Sequence, residues 1–349
     1  MITLFARGIT ICMLLFPFGV ASALEPGEGI FLDQTTGNYT LIYTDDELEN
    51  GNKVLARATF FPATKIDPAI YTKLRLDGTG AVNYSYSVSS GAQSRQLLRT
   101  VRFDLFNKVV GSQDLPTNTQ SATLEQVAAV FEANKLALTT PANWEGFIST
   151  NKNGASRISW NRIESDAGIR PGETQQEFGF VSQSLTGLGM VQFKGLRDGR
   201  NGFSGEGPIS GSDIDKQIQA LYQNDFVARN AAVPTIAIPD PFDPAVTLER
   251  IQEHMHTWIA KQLIEPAFAA QLDSHFKTAA DVYRKQGSAG NGQVGKMLAL
   301  LVQQYEGLEK GDEELVKKKS AVPAQLDKLA ALVLYFDLKY VMRRMGGGN

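Results

Sequence analysis

Cysteine is all but missing from this chain, histidine is scarce, and no apolar run is long enough to cross a membrane. The single cysteine, Cys12, lies inside the apolar run from Gly8 to Val20. After that run there is no thiol for a disulfide, a nucleophile or a metal site. The three histidines, His254, His256 and His275, all fall late. A Ser-His-Asp triad or a His-bound zinc site confined to the residues before them is therefore excluded. The formal net charge is only −3, whereas phosphate contacts need clustered Lys and Arg, so a nucleic-acid partner is not expected.

The chain opens with one positive side chain, Arg7, then the run from Gly8 to Val20, then Ala21-Ser22-Ala23. A charged start, a short apolar stretch and a small-x-small exit are the three parts of a cleavable secretory signal. The run is shorter than the roughly 20 residues of a spanning helix. Cleavage after Ala23 is expected, with a mature start at Leu24 and an exported, periplasmic or extracellular, location. Cleavage removes Cys12, and removing Arg7 takes the charge from −3 to −4.

The remaining chain exceeds the length over which one core keeps growing, so two domains are expected. Residues 24–211 read as strands. Tyr84 and Tyr86 alternate with Asn83, Ser85 and Ser87, and Thr36-Gly37-Asn38 makes a hairpin turn. One helix interrupts, starting at Thr123-Leu124-Glu125-Gln126, with Leu124, Val127, Ala128 and Phe131 at helical spacing. Residues 212–244, rich in proline toward their end, read as a linker. From residue 245 the period is helical, with four apolar faces: Leu248 to Ile259, Phe268 to Tyr283, Val294 to Leu308, and Leu326 to Tyr340. The expected fold class is α+β as two domains, an N-terminal antiparallel β-sandwich (24–211) followed by a C-terminal four-helix bundle (245–349) that folds on its own.

Two passages resemble known families. Arg157-Ile158-Ser159-Trp160, then Ile169-Arg170-Pro171-Gly172-Glu173-Thr174 and Phe178-Gly179-Phe180-Val181-Ser182, resemble the immunoglobulin-like sandwiches of exported bacterial proteins. Residues 248–342 resemble the small helical module called FIMAH-like, found at the C-terminal ends of such proteins, apart from a longer charged insertion around Asp312 to Lys319. The resemblances imply a sandwich and an accessory interaction module, and neither carries catalytic residues.

Candidate sites are few. Tyr84 and Tyr86 share one strand face and would form a sugar-stacking platform if exposed, or core if buried. Asp45, Asp46 and Glu47, with Glu49, form an acidic loop able to offer oxygen ligands to calcium, without EF-hand spacing. His254 and His256, two apart on a helix, point about 200° apart and make a poor ligand pair. No cofactor is expected. The expected function is a non-catalytic binding or structural role in the bacterial envelope or outside the cell, with a protein or polysaccharide partner and no membrane span after cleavage. The alternative is a polysaccharide-active hydrolase using paired carboxylates, for which Glu145, Glu164 and Asp166 are candidates.

Overall fold

The computed structural model describes residues 24, 26–45, 54–77, 80–105, 109–114, 123–150, 156–164, 166–198, 202–204, 208, 210–303 and 325–346. The expected signal segment, residues 1–23, lies outside them. The chain is mixed α+β: three antiparallel sheets, then a helical C-terminal region. It divides into two compact units, residues 1–61 with 198–224, and residues 62–197 with 225–349. The cut thus falls elsewhere than in the sequence-based division.

The smaller unit holds β1 (Gly29–Leu32), β2 (Tyr39–Asp45) and β3 (Val54–Phe60), paired in that order. The β1–β2 hairpin closes where expected. Asp33 accepts from the Thr35 amide at 2.9 Å and the Thr36 hydroxyl at 2.6 Å, and Gly37 sits at φ 68°. That left-handed conformation is one glycine adopts without a Cβ clash. Helix α2 (Asp213–Gln223) buries Ile214 and Ile218 against Leu41, Tyr43, Ala58 and Phe60. Ser212 caps it by accepting from the Asp215 amide.

The larger unit contains two sheets. One runs β4 (Pro68–Leu76), β5 (Val82–Ser90), β10 (Thr174–Ser182), β7 (Leu138–Thr139). The other runs β12 (Val227–Ile236), β11 (Leu185–Gly195), β6 (Leu98–Leu105), β9 (Ser156–Arg162), β8 (Trp144–Thr150). Their alternating apolar residues share one core, an arrangement compatible with a β-sandwich. Its centre is aromatic. Tyr84 stacks on Phe180 at 5.3 Å, and Phe103 meets Trp160 edge-on at 5.7 Å. Such ring pairs add roughly 0.5–1.5 kcal/mol each beyond the area they bury.

The segment read as a linker is structured instead, carrying α2 and the ten-residue β12. Pro234 of β12 pairs with Thr186 of β11, and β12 is an edge strand, the place in a sheet where proline is tolerated. Only the stretch after Ile236 lacks regular structure, until Asp243 caps α3.

Helix α1 (Leu124–Leu136) starts at Thr123 with a reciprocal capping box to Gln126, as its sequence predicts. Its expected apolar face is turned outward, however. Leu124 is 89 % exposed and Phe131 51 %, while Val130 and Asn134 are buried. Asn134 exchanges hydrogen bonds with the backbone of Gln113, and this polar anchor orients the helix.

The C-terminal helices are α3 (Pro244–Ala260), α4 (Pro266–Gln286), α5 (Asn291–Gln303) and α6 (Lys328–Met345), with a 3-10 turn before α5. Leu248, Met255, Trp258, Leu272, Phe276, Val294 and Leu298 form their core. That core continues into Leu185 and Leu188 of β11 and Ala232 and Ile236 of β12. Helix α6 buries every residue from Ala330 to Tyr335, then Asp337, Leu338, Tyr340 and Val341. A helix apolar all round is covered on more than one side. Here the Thr186 amide of β11 donates to Asp337 Oδ1 at 3.2 Å.

Candidate functional site

Strand β4 is the edge of its sheet, and α6 passes alongside it. Between Thr72–Leu76 and the α6 positions 332, 335, 336, 339, 340 and 343 lies a cleft of about 260 Å³. Those helix positions are three or four apart, so they form one stripe. From 332 to 343 they cover about 16 Å, and Thr72 to Leu76 about 13 Å, so the two walls match in length.

Basic side chains come from both walls. Lys73 and Arg75 stand on β4, Lys339 and Arg343 on α6. No lining residue is acidic. Among the described residues no ion pair joins Lys73, Arg75 or Arg343 to a carboxylate. The Lys339 ammonium lies 4.8 Å from the centre of the Tyr335 ring, a cation–π distance. Beyond the mouth, Arg344 covers Phe242 at 4.9 Å. Thr72 contributes a hydroxyl that is buried and has no hydrogen-bond partner. A buried polar group left unpaired costs on the order of 1–3 kcal/mol.

A wider depression, about 730 Å³, is lined in part by Glu265 and Asp327. Both carboxylates are exposed, and that of Asp327 caps α6 through the Leu329 amide at 2.8 Å. They are not the facing, partly buried acids that paired-carboxylate hydrolysis needs.

The sequence-predicted residues fall elsewhere. Tyr84 and Tyr86 are 0 % and 1 % exposed. The Tyr84 hydroxyl donates to the Ser184 carbonyl at 3.1 Å and that of Tyr86 to the Ala232 carbonyl at 2.9 Å. Burial pushes both phenols well above the usual tyrosine range. Their faces are occupied by core aromatics, so the stacking platform is replaced by core packing. Of the acidic loop, Asp46 and Glu47 lie outside the described residues, and Asp45 is described only as the end of β2. Glu145, Glu164 and Asp166 are exposed and line neither cleft.

His254 and His256 part company as their spacing demands. His254 Nε2 accepts from the Leu188 amide at 2.8 Å, while His256 meets Asp273 of α4 at 2.8 Å. Burial, then the Lys261 ammonium, lowers the His254 pKa from 6.5 to about 4. Gly187 permits the approach to β11, because a Cβ there would collide with Thr235 Oγ1 and His254 Nε2. Burial pushes the Asp337 carboxyl well above its usual range, and its Oδ2 has no partner. It lies within the packing, 1 % exposed, out of a substrate's reach.

The basic cleft escaped sequence reasoning because Lys73 and Arg75 lie some 260 residues from Lys339 and Arg343. One local signal existed. Lys339 and Arg343 are four apart in a helix rich in apolar residues, so they share one face. Comparison with family models, with curated proteins and with solved structures finds no match to this chain.

Proposed function

We propose that this chain is a non-catalytic binding protein, exported to the bacterial envelope or the extracellular space, whose ligand sits in the β4–α6 cleft. The observation that carries the reading is the cleft's lining. It is concave, combines aromatic and aliphatic walls with hydrophobically framed cations, and has no carboxylate, histidine or thiol on it. Polar groups that orient a ligand are present, whereas a general acid–base pair is not. The sandwich, read as immunoglobulin-like, would supply the rigid wall β4. The helices, read as a four-helix accessory module of FIMAH-like kind, would supply the wall α6. The partner is a polysaccharide or protein component rather than a nucleic acid, given the net charge of −3.

The test is an amide-resolved NMR titration of the mature chain with fragments of envelope polysaccharides. Shifts confined to β4 and α6 are expected, with ligand recovered unchanged. Shifts confined to other surfaces would remove the cleft from the reading, and appearance of cleaved products would replace binding by hydrolysis.

A further inference from the structure

We infer that the β4–α6 cleft takes a small, sugar-sized ligand bearing an oxyanion, a carboxylate or a phosphate. The inference rests on the reading of this cleft as the ligand site and adds the ligand's chemistry.

Charge on an edge strand has a simpler use, since lysine there discourages strand-to-strand aggregation. That would account for Lys73 and Arg75. It does not account for Lys339 and Arg343, which α6 brings to the same cleft from the other wall. Like charges brought to one concavity repel one another, by an amount that solvent screening reduces at the exposed Lys73, Arg75 and Arg343. Fold stability is not served by that convergence, and binding sites are where such costs are tolerated. An anion between the walls reverses the sign of the interaction.

The lining also limits the ligand's body. Arg75 and Arg343 offer planar forks suited to two-point contact with a carboxylate or phosphate, and Lys73 adds a point charge. A volume of about 260 Å³ lies just below the roughly 300–1,000 Å³ of pockets for drug-sized ligands. One sugar ring with its charged group fits such a space.

Isothermal titration with D-glucuronate, glucose 6-phosphate and D-glucose, each also followed by amide NMR, tests this. Both anionic sugars are expected to shift β4 and α6 amides, with affinity falling as salt rises. Glucose is expected to bind at least about tenfold more weakly, since charge-assisted hydrogen bonds are the strong ones. Arg75→Gln and Arg343→Gln, both at exposed positions, should each weaken the anions roughly tenfold while leaving the melting temperature unchanged or higher. The preferred anion tells carboxylate from phosphate. Glucose binding in the cleft as tightly as the anions overturns the charge inference and leaves the cleft as a ligand site. Failure of all three probes to shift β4 or α6 overturns the inference outright. If polysaccharide fragments still bind elsewhere, the cleft reading falls with it.

Discussion

Replacing Asp337 with asparagine isolates one buried proton. Asp337 Oδ1 accepts from the Thr186 amide, the carboxyl is 1 % exposed, and its pKa is raised by burial. An unfolded aspartate releases its proton near pH 3.9. Above that pH the folded chain holds one proton more than the unfolded chain, until Asp337 itself ionises. The contribution is therefore fully present below about pH 4 and declines by about 1.4 kcal/mol per pH unit as pH rises toward the folded pKa. Asparagine keeps the acceptor for Thr186 and removes the titration. His254 runs the other way. Its pKa falls from 6.5 to about 4, so its contribution is complete above about pH 6.5 and is lost toward pH 4, with a slope of about 1.4 kcal/mol per unit of opposite sign. Where the two ranges overlap, the two slopes offset each other in the native chain. Tyr84, beside Thr186, titrates above the tested range. Chemical denaturation at half-unit steps from pH 4 to 9 is the assay. Asp337→Asn should show rising stability from pH 4 to 6.5 and should outlast the native chain at alkaline pH. Identical pH profiles for the two proteins would show that Asp337 holds no proton in the fold and refute the reasoning.

Four further outcomes follow from single contacts. Asp337→Ala leaves the Thr186 amide unpaired and should cost on the order of 1–3 kcal/mol more than the asparagine variant, read by the same denaturation. Trp258, 1 % exposed among the helices, should cost on the order of 3–5 kcal/mol when cut to alanine. Asp225 accepts from the Ala63 amide through both oxygens, at 2.8 and 2.9 Å, and pairs with Arg197. Asp225→Ala strands both partners and should lower stability by about 3–5 kcal/mol, as breaking a buried pair does. Residues 245–349 expressed alone should be helical by circular dichroism yet melt without a sharp transition, because their core includes Leu185, Leu188, Ala232 and Ile236. A cooperative melt would show that the helices bury enough of one another to be a domain.

Local patterns settled most of the elements. A period of two is enough to place Tyr84 and Tyr86 on one strand face, and Thr123 with Gln126 is enough to start α1, because pleat and cap depend only on neighbours in the chain. The absence of histidine and cysteine from residues 13 to 253 likewise needs no structure to exclude a triad or zinc site there. Three things waited for the tertiary structure. Which way a face points depends on what packs against it: Tyr84 and Tyr86 go inward, and α1 turns Phe131 out because Asn134 binds the backbone at Gln113. Where one unit ends depends on shared cores, and α6 joins helices and sheet through Thr186 and Asp337. The basic cleft needs β4 and α6 side by side, and a charge is assigned a partner, or left without one, only by residues distant in sequence that folding makes neighbours.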